Sequence, residues 1–150
     1  MILNIVIDTC VIISALRSSK GASYRILSYI SRQKFRYGLS VALYLEYQKK
    51  LYEQSKANKI KLNKSEIDIM LKALAFYCTK VPIYYKIRPN LKDENDNMVY
   101  ECAVNFNADY IVTFNIKDFQ KADLRPYRSK IITPQEFLKK AGVNKWQIYN

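Results

Sequence analysis

The run Ile5-Val6-Ile7, closed by Asp8, constrains the fold more than any other stretch of this chain. A short Ile/Val run bounded by polar residues reads as a strand buried on both faces, and such strands belong mainly to parallel sheets covered by helices. Open sheets of that kind bind ligands beyond the carboxyl ends of their strands. Asp8, followed by Thr9-Cys10-Val11-Ile12-Ile13, therefore sits where chemistry is expected.

The rest of the chain alternates strand and helix signals, the pattern of an α/β fold. Gly21-Ala22-Ser23 leads into a helix through about residue 31, with Ile26, Leu27 and Ile30 on one face. Phe35 to Leu39 reads as a second strand, and Ser40 as the N-cap of a helix running toward Ala57. Ser65 is the expected cap of the next helix, with Ile67, Met70, Leu71 and Leu74 at helical spacing. A strand over Lys80 to Tyr84 follows, placed at a sheet edge by Pro82. Lys86 to Asn95 reads as a loop, and Asn95 or Asp96 opens a helix with Val99, Cys102, Ala103 and Phe106 facing inward. Tyr110 to Thr113 and Lys130 to Ile132 are further strands. Thr133-Pro134-Gln135-Glu136 combines an N-cap, a proline at the first helical position and a capping box. With no repeat and no Gly, Pro or Ser-rich linker, residues 1 to 150 read as one domain.

Charge and missing residue types narrow the function. Lys and Arg number 25 against 13 Asp and Glu, a net charge of +12, which favours a polyanionic partner and nucleic acid first. No apolar stretch reaches the roughly 20 residues of a bilayer span, and no basic segment precedes the first apolar run, so the expectation is a soluble, cytoplasmic protein with no membrane partner. The chain has no histidine, which excludes Ser-His-Asp and Cys-His chemistry and HExxH zinc sites. Cys10, Cys78 and Cys102 lie in apolar stretches without zinc spacing and read as small core residues. Hydrolysis would have to rest on carboxylates and metal ions.

Four acids lie near the ends of buried elements: Asp8, Glu46 within Val41 to Tyr47, Asp96 at a helix start, and Asp118 beyond the Tyr110 to Thr113 strand. Packed carboxylates oppose one another's ionisation, and a divalent cation removes the conflict. Mg²⁺ or Mn²⁺ held this way can grip a phosphodiester, activate water and stabilise a leaving oxygen. Plainer readings compete: an Asx turn for Asp8, a helix surface for Glu46, an N-cap for Asp96, a surface loop for Asp118. The run Asp93 to Asn97 is not a calcium loop, because Met98 and Val104 occupy the glycine and bidentate-glutamate positions. A haloacid-type phosphotransferase would want Asp where this chain has Cys10.

The same residues resemble the PIN-domain nucleases. Ile5 to Leu16, Glu46, Asp93 to Asn97, Ala108 to Phe119 and Thr133 to Leu138 are similar, in order, to the motifs of the bacterial branch that supplies toxins of toxin–antitoxin systems. The resemblance implies a three-layer α/β/α fold with a parallel sheet of about five strands in the order 3-2-1-4-5. It implies Asp8, Glu46, Asp96 and Asp118 as catalytic metal ligands, Thr9, Thr113 and Asn115 as substrate-positioning residues, and Mg²⁺ or Mn²⁺ as cofactor. It further implies single-stranded RNA as substrate, a cognate antitoxin and a homodimer. Two departures stand out: Cys10 replaces the usual Asn or Ser, and Asn115 replaces an Asp found in many relatives. Loss of that acid leaves open an alternative, a catalytically impaired PIN-like module that binds RNA or a partner. Lys49, Lys50, Lys56, Lys59, Lys61 and Lys64, with Tyr44, Tyr47 and Tyr52 among them, are candidate RNA contacts, with a solvated face and core packing as the plainer accounts, and Arg125, Arg128 and Lys130 are expected to border the carboxyl end of the sheet.

Overall fold

The computed structural model describes residues 2–85, 94–120 and 129–142. Five short strands form one parallel sheet: β1 (Asn4–Ile7), β2 (Arg36–Leu39), β3 (Thr79–Lys80), β4 (Tyr110–Val112) and β5 (Lys130–Ile132). Their order is β3-β2-β1-β4-β5, as the resemblance implied, with Ile5 beside Tyr37 on one side and Tyr110 on the other. Among the described residues, seven helices flank the sheet: α1 (Thr9–Arg17), α2 (Ala22–Ile30), α3 (Val41–Lys56), α4 (Lys64–Tyr77), α5 (Glu94–Phe106), α6 (Ile116–Gln120) and α7 (Pro134–Lys140). The chain runs outward through β1, β2 and β3 and then crosses back to β4 and β5, with α2 packed against α7 and α3 against α5. The topology reverses between β1 and β4. Ligands of such sheets bind in the crevice at that point.

The central strand is fully buried, with Ile5, Val6 and Ile7 at 0% exposure, because helices cover both its faces. On one side Phe137 of α7 meets Phe35 and Tyr110 edge to face, at centroid separations of 5.3 and 6.1 Å. On the other, Phe106 of α5 lies so close to β2 that a Cβ on Gly38 would stand 2.4 Å from its ring. Only glycine permits that approach. Helix ends follow local chemistry: Ser40 accepts from the Leu43 amide and Thr133 from the Glu136 amide, as expected from sequence. Asn58 and Asn107 take left-handed φ of 57° and 56° just past α3 and α5, where asparagine tolerates that conformation.

Thr9–Arg17 is a helix that the sequence pattern did not assign, and several expectations are corrected. Asn63 caps α4 rather than Ser65, through a full capping box with Glu66. β3 spans two residues rather than Lys80 to Tyr84, since Pro82 cannot donate to a ladder. Lys130 begins β5 and so lies at the amino end of the sheet, not the carboxyl end. Asp93, most of the Lys86 to Asn95 loop, Arg125 and Arg128 lie outside the described residues.

Candidate active site at the carboxyl end of the sheet

Asp8 is the N-cap of α1, yet its side chain accepts no capping bond from that helix. An aspartate there usually turns back to the first free amides. This one is held from across the switch point: the Thr113 hydroxyl, just beyond β4, donates to Asp8 Oδ2 at 2.6 Å. The Cys10 thiol donates to the same oxygen at 3.3 Å and lies 3.7 Å from Thr113 Oγ1. The Asn115 amide donates to Thr113 Oγ1 at 2.9 Å, which leaves the hydroxyl proton directed at the carboxylate. A bond from the Asp8 amide to the Val112 carbonyl at 3.0 Å fixes the two strand ends relative to each other. Asp8 and Thr113 are 4% and 0% exposed, so these bonds act with little competition from water.

A second support lies beneath. Tyr37 donates to Tyr47 Oη at 3.0 Å, and the Tyr47 hydroxyl donates to the carbonyl of Ile7, the residue before Asp8. Burial pushes both phenols well above their ordinary ionisation range, so they remain donors. Burial also pushes the Cys10 thiol up to about 12, and the neighbouring Asp8 carboxylate adds to the shift. Cys10 is therefore a neutral donor, not a nucleophile.

The remaining predicted residues divide into two groups. Glu46, beside Tyr47 on α3, is 5% exposed, and Asp96, in the first turn of α5, is 5% exposed. Both helices start from the carboxyl end of the sheet, so connectivity brings these acids to the same end as Asp8. Thr9 is also buried, and its hydroxyl has no partner among the described residues. Asp118 is different: it lies on α6, not in a loop, and it and the Asn115 side chain are exposed. Among the described residues, no three Asp, Glu or Cys side chains converge closely enough to form a metal cage. Exposed Lys56, Lys59, Lys61 and Lys64 gather at the tip of the α3–α4 hairpin, about 24 Å along α3 from its Ser40 cap at 1.5 Å per residue.

The parts played by Cys10 and Tyr47 were not among the roles expected from sequence. The available signal for Cys10 was its place two residues after Asp8. Tyr47 gave none, because nothing local shows that its hydroxyl reaches β1.

No curated protein matches the sequence. Among solved structures, a chain from the crystal structure of VapBC2 from Rickettsia felis bound to a DNA fragment from their promoter has a similar fold, with a TM-score of 0.54. The two are 17% identical, and the match covers 86% of this chain and 98% of that one. A PIN domain family model matches residues 4–117, more than two thirds of the sequence, and the chain belongs to the PIN domain family.

Proposed function

We propose that this protein is a metal-dependent endoribonuclease that cleaves single-stranded RNA, acting as the toxin of a toxin–antitoxin pair. The observation that carries the chemistry is Asp8, an N-cap residue whose carboxylate makes no capping bond and instead accepts from the Thr113 hydroxyl across the switch point. Family membership supports nuclease chemistry, and the likeness to a chain of a VapBC2 complex supports an antitoxin partner. In this reading residues 1 to 150 form one cytoplasmic PIN unit that works as a homodimer.

The donor set suits a hard cation: Asp8, Glu46 and Asp96 offer buried carboxylate oxygens, and the chain has no histidine. These three, not gathered into a cage in the structure as it stands, would hold Mg²⁺ or Mn²⁺ by drawing in around the ion, with Asp118 joining from α6. When bound, the cation would polarise the scissile phosphate and lower the pKa of a water beside it. Thr113 and Cys10, both on Oδ2, fix the Asp8 carboxylate before substrate arrives. Thr9 and Asn115 flank the position of the phosphate. Hydrolysis adds water across the P–O3′ bond and leaves a 5′-phosphate and a 3′-hydroxyl.

Labelled single-stranded RNA tests the reading. Cleavage should need Mg²⁺ or Mn²⁺, stop with EDTA, and fall more than about 100-fold in Asp8→Asn and Asp96→Asn, beyond what loss of an outer-shell partner costs. Full activity in either variant would sink the site. The exposure of Asn115 and Asp118 favours a second reading, an impaired module that binds RNA or a partner. Calorimetry separates the two, since the module would show no specific Mn²⁺ binding at millimolar concentration.

A further inference from the structure

Beside this site lies a cavity of about 550 Å³ whose wall includes Ser14 of α1, the start of α2 at Gly21, Ala22 and Ser23, and Phe114, Thr133 and Lys139. Phe114 directly follows Thr113, which holds Asp8, and is 50% exposed. Two independent features give it an unmet demand for an acceptor. First, Gly21 caps α2 without a side chain, the first turn carries no acid, and no described group accepts from the Ala22, Ser23 or Tyr24 amides. The positive end of a nine-residue helix is thus left open to an anion. Second, Ser23 is 3% exposed and its hydroxyl has no partner among the described residues. A buried hydroxyl without a partner is costly, and a ligand oxygen would satisfy it.

Charge around the cavity is mixed. Lys139 and Glu136, three residues apart on α7, both line the cavity, and exposed Lys20 precedes Gly21. Glu136 accepts from the Thr133 hydroxyl at 3.0 Å, which directs part of its charge into the cap of α7. The exposed Phe114 ring offers a face for a base, since stacking on an aromatic is tolerant of sequence.

We infer that the start of α2, with the Ser23 hydroxyl, holds a phosphate of the RNA strand flanking the scissile one, while Phe114 stacks the adjoining base. The inference rests on the RNA reading above, but its test needs neither metal nor cleavage. The design uses Gly21: a Cβ there meets nothing within 4 Å, and its φ of −85° and ψ of 169° suit an aspartate cap. Gly21→Asp should therefore cap α2 and hold or raise the melting temperature while its carboxylate repels the phosphate.

Binding is read by fluorescence anisotropy with a labelled single-stranded RNA hexanucleotide in EDTA, across a KCl series. Gly21→Asp should weaken affinity about tenfold, as expected for a lost hydrogen bond to a charged group, and Ser23→Ala should weaken it less. The salt slope of Gly21→Asp should flatten by about 0.7, one phosphate contact on a single strand. Phe114→Leu should weaken binding without changing that slope. Wild-type affinity and slope in Gly21→Asp would overturn the subsite while leaving metal-dependent cleavage by the wild type standing. Failure of the wild type to bind RNA in EDTA would overturn the subsite, whereas failure to bind or cleave RNA with Mn²⁺ present would overturn the nuclease reading as well.

Discussion

The two sides of the crevice are built to different standards. On the β1/β4 side, Asp8 is buried and takes hydrogen bonds from Thr113 and Cys10, and the Tyr37–Tyr47 pair holds the carbonyl just behind it. On the α6 side, Asn115 and Asp118 are exposed, and the helix that carries Asp118 is five residues long. A carboxylate fixed by buried donors needs no reordering when a cation arrives, whereas an exposed one must give up water and rotamer freedom. Under the proposed metal-dependent reading the work of metal capture falls to the buried side, and variants on each side test that division.

Among the residues that support the acids, the largest effect should come from Thr113. Thr113→Val removes the short bond to Asp8 at nearly constant volume, so Mn²⁺ affinity measured by calorimetry should fall by about 10- to 100-fold. Thr113→Ser, which keeps the hydroxyl, should recover most of the loss. Equal affinity in the Val variant would mean that the grip on Oδ2 does not organise the site.

One layer deeper, Tyr47→Phe deletes the donor to the Ile7 carbonyl and the acceptor for Tyr37. It should cost about 1–2 kcal/mol of stability, because two buried polar groups lose their partner, and denaturant unfolding would measure it. A neutral result would show that water fills the gap.

A smaller effect concerns the core on the same side. Burial raises the Cys102 thiol from 9.0 to about 12, so the folded chain keeps a proton that the unfolded chain releases. The stability tied to that proton is fully present below pH 9 and is lost as pH rises toward 12. In Cys102→Ala the fall in stability between pH 9 and 10.5 should be shallower, by up to about 1.4 kcal/mol per pH unit. Parallel pH profiles would assign the alkaline loss to the buried tyrosines instead.

Much of this division was legible in the sequence, for reasons that also explain its gaps. The Ile5 to Ile7 run, the Ser40 cap and Thr133-Pro134-Gln135-Glu136 are local signals, and each formed the element expected of it. α1 was hidden because Thr9, Val11, Ile12 and Ile13 are β-branched, and only packing against its neighbours makes them helical. The burial of Glu46 could be read from its apolar neighbours. The grip of Thr113 on Asp8 could not be read from spacing, since it joins residues 105 positions apart through the order of the strands.

The smallest predicted effect tests the α6 side directly. Asp118 is exposed, and interactions of exposed charges are worth at most about 1 kcal/mol, so Asp118→Asn should change Mn²⁺ affinity and cleavage less than about fivefold. Asn115→Asp restores an acid one residue beyond Phe114 and should tighten Mn²⁺ binding by a similar factor, since its backbone bond to Thr113 is untouched. If Asp118→Asn instead abolishes cleavage as Asp8→Asn does, the α6 side must close onto the substrate. The contrast between the two sides would then describe only the protein without RNA.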